Sequence, residues 1–440
     1  MPTEPLLVRA RRALTGTVLE PLAGRAIDGA IDGAINALMR EGLARLIESV
    51  RALGGQPLDV ELPDGSRLSF GDAPCALLRI KDPAALALMR HADLDTLGSA
   101  FVEGRIDIEG DMLAAARAAA ALAQAQGRGT NARGAAPDDA HPSVQDAADI
   151  AFHYDVGNAF YRLWLDAQWV YSCAYFENAD ATLDEAQRAK LDYICRKLRL
   201  TEGERFLDVG CGWGALVLHA ARHYGVQATG ITLSRQQLER AQQRVAEEGL
   251  AGRVEVLLLD YRDLPARFGP ASFDKVSSVG MFEHVGLRQL PVYFAVMAHV
   301  LRDRGLFLNH GITSSDIDNR PVGGGASEFI ERFVFPHGEL PHLTLAVGEM
   351  SRAGFEIADV ESLRPHYALT LAHWSQRLNA VLDEARRVVP EKTLRVWQAY
   401  LAGCAVGFEQ GWMNVYQLLG SRQIDAGATA LPLTRASLYP

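Results

Sequence analysis

Short apolar runs alternate with stretches of helical periodicity through the second half of the chain. Residues 206–209 are apolar apart from Asp208, three glycines follow, and residues 215–224 carry apolar side chains at helical spacing until Gly225. This order predicts a strand, a glycine turn and a helix. The pattern then repeats, which is typical of an α/β fold with a doubly wound sheet. We predict strands at 206–209, 227–231, 254–259, 275–279, 306–312, 357–363 and 413–419, with helices near 215–224, 235–248, 291–301, 368–389 and 391–407.

The last predicted strand follows two helices, so we expect it to close the sheet as an antiparallel edge strand. Residues 313–345 form a long insertion with three consecutive glycines and several phenylalanines, and insertions of this length are often functional. Aromatic side chains are also dense at 153–158 and 169–176, ahead of the glycine turn. That density suggests a lid over a site, although aromatic stretches more often belong to a core.

The first part of the chain has a different pattern. Residues 6–53 carry apolar side chains at helical spacing with three arginines near the start, which predicts two or three helices that either lie on a membrane surface or pack against the rest of the chain. Alternation at 58–62, 67–70 and 105–110 predicts strands, and helices are predicted at 84–90, 97–103 and 114–125. Residues 127–142 are poor in large apolar side chains. The predicted domains are therefore 1–126, a small α+β unit, a linker at 127–142, and 143–440, the catalytic unit.

Composition narrows the functional classes. The 440 residues are 48% hydrophobic with a net charge of −10 and contain no large Lys/Arg block, which argues against nucleic-acid binding. Five cysteines without a CxxC pair favour neither a zinc site nor structural disulfides, so we expect a reducing cytosol. No apolar run is long enough to span a bilayer, and residues 1–10 lack an export signal, yet peripheral membrane association remains open.

The glycine turn offers backbone N–H groups and close approach to an adenosine-bearing ligand, although an ordinary tight turn has the same pattern. Gly210, Gly212 and Ala215 also fit the nicotinamide fingerprint, which requires an acidic residue at the end of the second strand. The second strand ends instead in T-L-S at 232–234, which disfavours an oxidoreductase. In a doubly wound sheet the turns at 210–214, 232–234, 260–261 and 280–284 converge on one ligand site.

Five motifs together carry a family resemblance: F-L-D-V-G-C-G-W-G at 206–214, T-L-S-R-Q-Q at 232–237, S-V-G-M-F-E-H-V-G at 278–286, Y-S-C-A-Y at 171–175 and L-A-G-C-A at 401–405. From about His153 to the C terminus the chain resembles the S-adenosylmethionine-dependent cyclopropane fatty acid synthases, which include the mycolic acid cyclopropane synthases. Residues 93–111 more loosely resemble the extra domain of the bacterial phospholipid-acting members. The resemblance implies a class I methyltransferase fold, Rossmann-like, with S-adenosylmethionine and bicarbonate as cofactors.

The resemblance also assigns site residues. The candidate cofactor-binding residues are Tyr171, Ser172, Asp208, Gly210, Cys211, Gly212, Gly214, Thr232, Leu233, Ser234, Gln237, Asp260 and Tyr261. The candidate catalytic residues, which hold bicarbonate in the family, are Cys173, Glu283, His310, Tyr367 and, through its backbone amide, Ile312. Each also has an ordinary structural explanation, such as a helix-start glutamate or a buried core histidine, but the joint occurrence at the strand ends of one sheet favours a site.

The chemistry gives this set a purpose. An isolated alkene has no acidic proton, so the sulfonium must be held in line with the double bond, and the resulting carbocation must lose a proton before water captures it. We expect an unsaturated phospholipid substrate, a peripheral position on the cytoplasmic membrane surface, and a homodimer as a candidate assembly. Alternatives are a methylene-branched or methyl-branched product, a methyltransferase for a small polar acceptor, and a membrane-binding or dimer-forming protein with a vestigial site.

Overall fold

The computed structural model describes residues 56–70, 72–88, 93–125, 156–336, 338–423 and 431–438. The predicted helices at 6–53, the predicted linker at 127–142 and residues 153–155 of the aromatic stretch lie outside these residues.

Residues 56–125, which we call the N-terminal module, form a four-stranded sheet with helices. The strand order is β2-β1-β3-β4, with β1 antiparallel to β2 and parallel to β3. The sheet follows from the predicted alternation, since Val60, Ile80 and Ile106 all point into one small core. The elements are β1 (Leu58–Glu61), β2 (Arg67–Phe70), β3 (Ala76–Ile80), α1 (Pro83–Leu88), α2 (Leu94–Val102), β4 (Ile106–Gly110) and α3 (Met112–Ala125).

The second sheet has seven strands among the described residues and lies between two layers of helices. Its strands are β5 (Arg205–Val209), β6 (Gln227–Thr232), β7 (Val254–Leu258), β8 (Phe273–Val279), β9 (Leu301–Ser314), β10 (Phe355–Ser362) and β11 (Met413–Arg422). Its principal helices are α4 (Asn158–Trp164), α5 (Leu183–Lys197), α6 (Ala215–Tyr224), α7 (Arg235–Glu247), α8 (Leu264–Phe268), α9 (Leu290–Val300), α10 (Ala326–Phe333), α11 (Leu343–Arg352), α12 (Arg364–Ala380), α13 (Leu382–Ala385) and α14 (Glu391–Gln410).

The strand order is β10-β11-β9-β8-β5-β6-β7, and the neighbouring pairs from β9 through β7 are parallel. The predicted doubly wound α/β fold is confirmed. The antiparallel strand β11 does not lie at the edge, however, because it pairs with β9 on one side and with β10 on the other. After β9 the chain passes through α11 to β10, which is separated from β9 by one strand position. The chain then passes through α12 and α14, and β11 occupies the position between β9 and β10.

The glycine turn after β5 determines where the first helix begins. Gly214 precedes α6 with φ +84°, and Gly225 ends the helix with φ +68°. Both angles are in the left-handed region that glycine adopts without a steric penalty. The predicted bounds 215–224 are those of the helix.

The two sheets are connected by side-chain contacts between the N-terminal module and α14. Arg117 of α3 forms a two-pronged ion pair with Glu409, at 3.0 and 2.6 Å. Arg395 donates to Asp107 at 2.6 Å and to the Phe101 carbonyl at 2.9 Å. The module therefore lies against the long helix α14. In the described part of the chain, no helix has the length and apolar character needed to cross a membrane.

Candidate active site

A cleft opens at the carboxyl ends of β5, β6, β7 and β8, where the sequence predicts the ligand site. All candidate cofactor residues except Gly214 and Ser234 line it. Trp169, Lys190 and His284 line the same cleft, although the sequence reasoning did not single them out as cofactor residues. The structure thus brings the turns after four strands and the stretch at 169–172 together.

The glycine turn presents its backbone to the cleft. The N–H groups of Gly210 and Cys211 both donate to the Ile231 carbonyl, at 3.0 and 2.9 Å, which fixes the turn against β6. Gly210 has φ +80°, and a Cβ added there would lie 2.8 Å from the Met281 Cβ. Any larger residue at position 210 would therefore be strained and would displace the segment after β8.

Gly214 and Ser234, the two cofactor candidates that do not line the cleft, have structural roles. A Cβ added at Gly214 would lie 3.2 Å from the Cβ of Ala241, so glycine allows α6 to approach α7 closely. The Ser234 hydroxyl accepts the Gln237 N–H at 3.3 Å and caps α7. Thr232 donates to the Gln237 side-chain oxygen at 2.7 Å, which holds this side chain at the cleft wall. Gly214 and Ser234 thus support the wall of the cleft without lining it.

Two acidic side chains line the cleft and have different hydrogen-bond partners. Asp208 is buried and accepts a hydrogen bond from Ser277 at 2.7 Å, and burial raises the pKa of its carboxyl to about 6. Asp260 is bound at both oxygens by Arg262, at 2.8 and 2.6 Å. The sequence reasoning did not foresee this ion pair, which lies two residues apart along the chain and fixes the carboxylate at the end of β7.

Lys190 is a buried cation that the sequence reasoning missed. Its Nζ donates to the Ser172 hydroxyl at 2.8 Å, and burial lowers its pKa to about 8. The ammonium also lies near Asp208 and Cys173. The helical spacing of Gln187, Lys190 and Ile194 on the inward face of α5 was the available signal. Lys190 thus connects the cofactor cleft to the catalytic candidates.

Glu283 reaches the centre of the catalytic set from the short helix Phe282–His284, which follows β8. Its Oε1 accepts the Ile312 N–H at 2.7 Å, whereas Oε2 is buried without a hydrogen-bond partner among the described residues. Burial raises the pKa of this carboxyl to about 7. The resemblance assigned the Ile312 amide to bicarbonate; in the structure it donates to Glu283 because the carboxylate lies within reach. Gly311 allows the Phe282 ring to pack directly on β9, which sets this position.

His310 lies beside this pair on β9 and is almost completely buried. Its Nδ1 lies 3.2 Å from the side-chain nitrogen of Gln417 on β11, and its Nε2 is buried without a partner in the described part of the chain. Burial lowers the pKa of the imidazole, so the ring is neutral. A neutral ring that accepts from Gln417 at Nδ1 carries its proton on Nε2. Gln417, which the sequence reasoning missed, thus lies where its amide can set the tautomer of His310.

Cys173 and Tyr367 are the remaining catalytic candidates, and both lie close to the same backbone carbonyl. The Leu363 carbonyl accepts the Tyr367 N–H at 3.0 Å and lies 3.8 Å from the Cys173 sulfur. Burial raises the pKa of both side chains, so the thiol and the phenol stay neutral. The Tyr367 ring packs against Phe408 with centroids 4.7 Å apart. Both side chains therefore lie in apolar surroundings.

The structure brings the catalytic candidates together, and their chemistry suits a small hydrogen-bonding anion. Among the side chains of the catalytic candidates, Glu283 Oε2 and His310 Nε2 are buried atoms without a hydrogen-bond partner in the described part of the chain, and such atoms are available to a bound ion. In the described residues no group of His, Cys, Asp and Glu side chains is arranged to hold a metal ion. The catalytic set lies next to the cofactor cleft because the segment after β8 contributes Glu283 to the set and Gly280, Met281 and His284 to the cleft.

The family model for mycolic acid cyclopropane synthetase matches residues 141–418. The chain belongs to this family. A probable fatty acid methyltransferase of Pseudomonas putida is 48% identical over 398 residues, covering 90% of this chain and 100% of the relative. The cyclopropane-fatty-acyl-phospholipid synthase of Escherichia coli K12 is 38% identical over 275 residues, covering 62% of this chain and 68% of the relative.

Solved structures of mycolic acid cyclopropane synthases have the same fold. The cyclopropane synthase MmaA2 from Mycobacterium tuberculosis aligns with a TM-score of 0.59 at 34% identity, over 65% of this chain and 100% of its own. CmaA1, complexed with SAH and CTAB, aligns with a TM-score of 0.59 at 36% identity, over the same shares. The protein is therefore an S-adenosylmethionine-dependent methyltransferase of the cyclopropane synthase type, and the predicted family is confirmed. The roles of individual residues stay predictions.

Proposed function

We propose that this synthase transfers the methyl group of S-adenosylmethionine to the cis double bond of an unsaturated acyl chain in a membrane phospholipid and closes a cyclopropane ring. The observation that supports this most is the pair of unused polar atoms, Glu283 Oε2 and His310 Nε2, buried beside the cofactor cleft. An alkene offers no polar group for these atoms to bind. They are therefore available for a small base that removes a proton from the substrate.

The surroundings exclude water from such a reaction. Trp164, Tyr171, Trp374 and Trp397 form a continuous aromatic cluster in which the Tyr171 and Trp374 centroids lie 5.2 Å apart. Tyr171 also lines the cofactor cleft. Aromatic faces attract cations, by about 2 kcal/mol where water is excluded, so this cluster would favour a carbocation on the acyl chain. The same dryness protects that cation from capture by water.

The residues present fit a bound bicarbonate ion. Glu283 Oε2, His310 Nε2, the Tyr367 hydroxyl and the Cys173 thiol would hold it, as the resemblance predicts. When bound, bicarbonate would supply the base that accepts a proton from the newly added methyl group. The chain's own part is to orient the ion, and two neutral groups, the thiol and the phenol, add no competing negative charge.

Glu283 accommodates a second anion by holding a proton. With Oε1 accepting the Ile312 N–H, the proton of the neutral carboxyl would lie on Oε2, the oxygen that has no partner in the described residues. The raised pKa means that this neutral form is populated near neutral pH. Two donors, Oε2–H and Nε2–H, then face the ion. Replacing either donor should weaken anion binding without closing the cofactor cleft.

A branched product is the second candidate. The Pseudomonas putida relative, which matches along its whole length, is named a probable fatty acid methyltransferase, and that name specifies no ring. A 1,2-hydride shift in the same cation, followed by loss of a proton from the new methyl group, would give a methylene branch, and reduction of that product by a separate hydride donor would give a methyl branch. The phospholipid form of the substrate and a peripheral position on the membrane surface are also proposals, supported by the name of the Escherichia coli relative.

Lipid mass spectrometry tests the proposed function. Cells that express the protein and receive methyl-labelled methionine should gain one labelled methylene unit on monounsaturated phospholipid chains. A strain that expresses the Asp208→Ala variant, which alters the cofactor cleft, is the control. Unlabelled phospholipids in cells that contain folded protein would contradict the proposal, whereas label in a water-soluble product would favour a small polar acceptor.

A further inference from the structure

A second cavity lies between the N-terminal module and the catalytic unit, and no step of the proposed reaction uses it. Its walls are the sheet and the helices α2 and α3 on one side, and α10, α14 and the start of β11 on the other. We call it the inter-module cavity. The family model begins at residue 141, so one of the two walls lies outside the part of the chain that the model matches.

The lining is apolar throughout. Among the described residues that line the cavity none is charged, and Tyr400, Cys404 and Trp412 contribute the only polar side-chain atoms. Such a surface offers nothing to a phosphate, a sugar or a peptide backbone, each of which needs hydrogen-bonding partners when it is buried. It suits a hydrocarbon chain. Met112 and Leu122 both line the cavity and are about 15 Å apart along α3 at 1.5 Å per residue, so the apolar lining extends along most of that helix.

The inner end of the cavity reaches the candidate active site. Tyr400 lines the cavity, and its hydroxyl lies 3.5 Å from the hydroxyl of Tyr171, which lines the cofactor cleft. Cys404, one helical turn further along α14, also lines the cavity and lies near Tyr367. The far end of an acyl chain whose double bond lies at the catalytic set would therefore lie next to this cavity, with Tyr400 and Cys404 at the boundary.

We infer that the inter-module cavity holds the methyl-terminal part of the substrate's acyl chain, beyond the double bond, so that the N-terminal module forms one wall of the substrate channel. The inference rests on the proposed function, because it takes the acyl chain as the substrate. The lack of charge in the lining assigns this end of the chain to the cavity and leaves the head group outside. The ion pairs of Arg117 and Arg395 hold the two walls together.

Gly403 on α14 offers a direct way to fill the cavity. It lines the cavity, and a Cβ added there would meet no atom within 4 Å. Gly403→Leu therefore places a side chain in open space within a helix, where leucine is favoured over glycine. Gly403→Ala has the same helical benefit and is the matched control. Ala119→Leu fills the cavity from the opposite wall, so that one misfolded variant does not decide the result.

The test measures kcat/KM on phospholipid vesicles with myristoleoyl, palmitoleoyl or oleoyl chains. These chains place the double bond at the same distance from the carboxyl group and differ only in the methylenes beyond it. Gly403→Leu and Ala119→Leu should each raise the ratio of myristoleoyl to oleoyl turnover at least tenfold, and Gly403→Ala by much less. A ratio that changes less than twofold in both, or equal loss on all three lipids, would overturn the inference. A failure of the proposed function would give a different result from a failure of this inference, because the unmodified protein would then act on none of the three lipids.

Discussion

The Glu283→Gln substitution tests whether the centre of the site is as dry as the structure shows. Burial raises the pKa of the Glu283 carboxyl from an ordinary 4.5 to about 7, so the folded protein binds this proton more tightly than the unfolded chain. The stability that the proton contributes is present at low pH and is lost as the pH rises through the folded pKa. Linkage gives a loss of about 2.5 kcal/mol between about pH 5 and about pH 8. Glutamine keeps an oxygen for the Ile312 amide and does not titrate.

The assay is urea unfolding of both proteins at the two pH values, in buffers freed of bicarbonate. The free energy of unfolding of the variant, relative to the unmodified protein, should rise by about 2.5 kcal/mol from the lower to the higher pH. Glu339→Gln is the control, because Glu339 also accepts a backbone N–H, from Leu287 at 2.7 Å, and lies outside the catalytic set. A relative change below about 0.5 kcal/mol would refute the reasoning, since it would mean that water reaches the Glu283 carboxyl.

The Glu283→Gln variant also tests whether Glu283 takes part in binding bicarbonate, separately from its effect on stability. Added bicarbonate should raise the unfolding midpoint of the unmodified protein by mass action and leave that of Glu283→Gln almost unchanged. Its methyl-transfer activity should fall by about a hundredfold or more, the usual contribution of a positioned proton-transfer group. Full activity in the variant would remove Glu283 from the mechanism.

Two further predictions concern positions beside the cofactor and the base. Gly210→Ala should lower the free energy of unfolding by about 1 to 2 kcal/mol more than Gly212→Ala, because both have positive φ but only the Cβ at 210 meets Met281; urea unfolding measures the difference. Gln417→Leu should lower kcat about tenfold and leave His310 in a mixture of tautomers, whereas Gln417→Glu should move the proton to Nδ1; nitrogen chemical shifts of the labelled imidazole distinguish these states, and an unchanged Nε2–H tautomer in both variants would contradict the assignment.

Local pattern was enough to predict the elements that local interactions determine. Residues 215–224 were predicted to their last residue because glycines with positive φ lie at both ends of α6. The position of β11 was predicted wrongly at the edge of the sheet, because strand order depends on pairings between distant segments. Strand β10, residues 355–362, occupies the outer position of the sheet, and β11 therefore lies between β10 and β9.

The site was predictable from motifs only in part. The glycine turn and the residues after β8 were predicted because their spacing along the chain carries the signal. Gln417 was missed because its role depends on lying opposite His310 across two strands, a register that no local pattern encodes. Lys190 was missed because its partner Ser172 lies 18 residues away and the contact requires the fold. The direction of the Ile312 amide likewise depends on where Glu283 lies.

The structure of the product tests the central claim most directly. Purified protein, unsaturated phospholipid vesicles and S-adenosylmethionine with a fully deuterated methyl group should give a chain in which two of the three deuterium atoms are retained, on a carbon that carbon NMR places in a cyclopropane ring. That result requires methyl transfer to the alkene followed by loss of one deuteron from the transferred methyl group. A methyl branch that retains all three deuterium atoms, or a methylene branch that retains two, would contradict ring closure at this site.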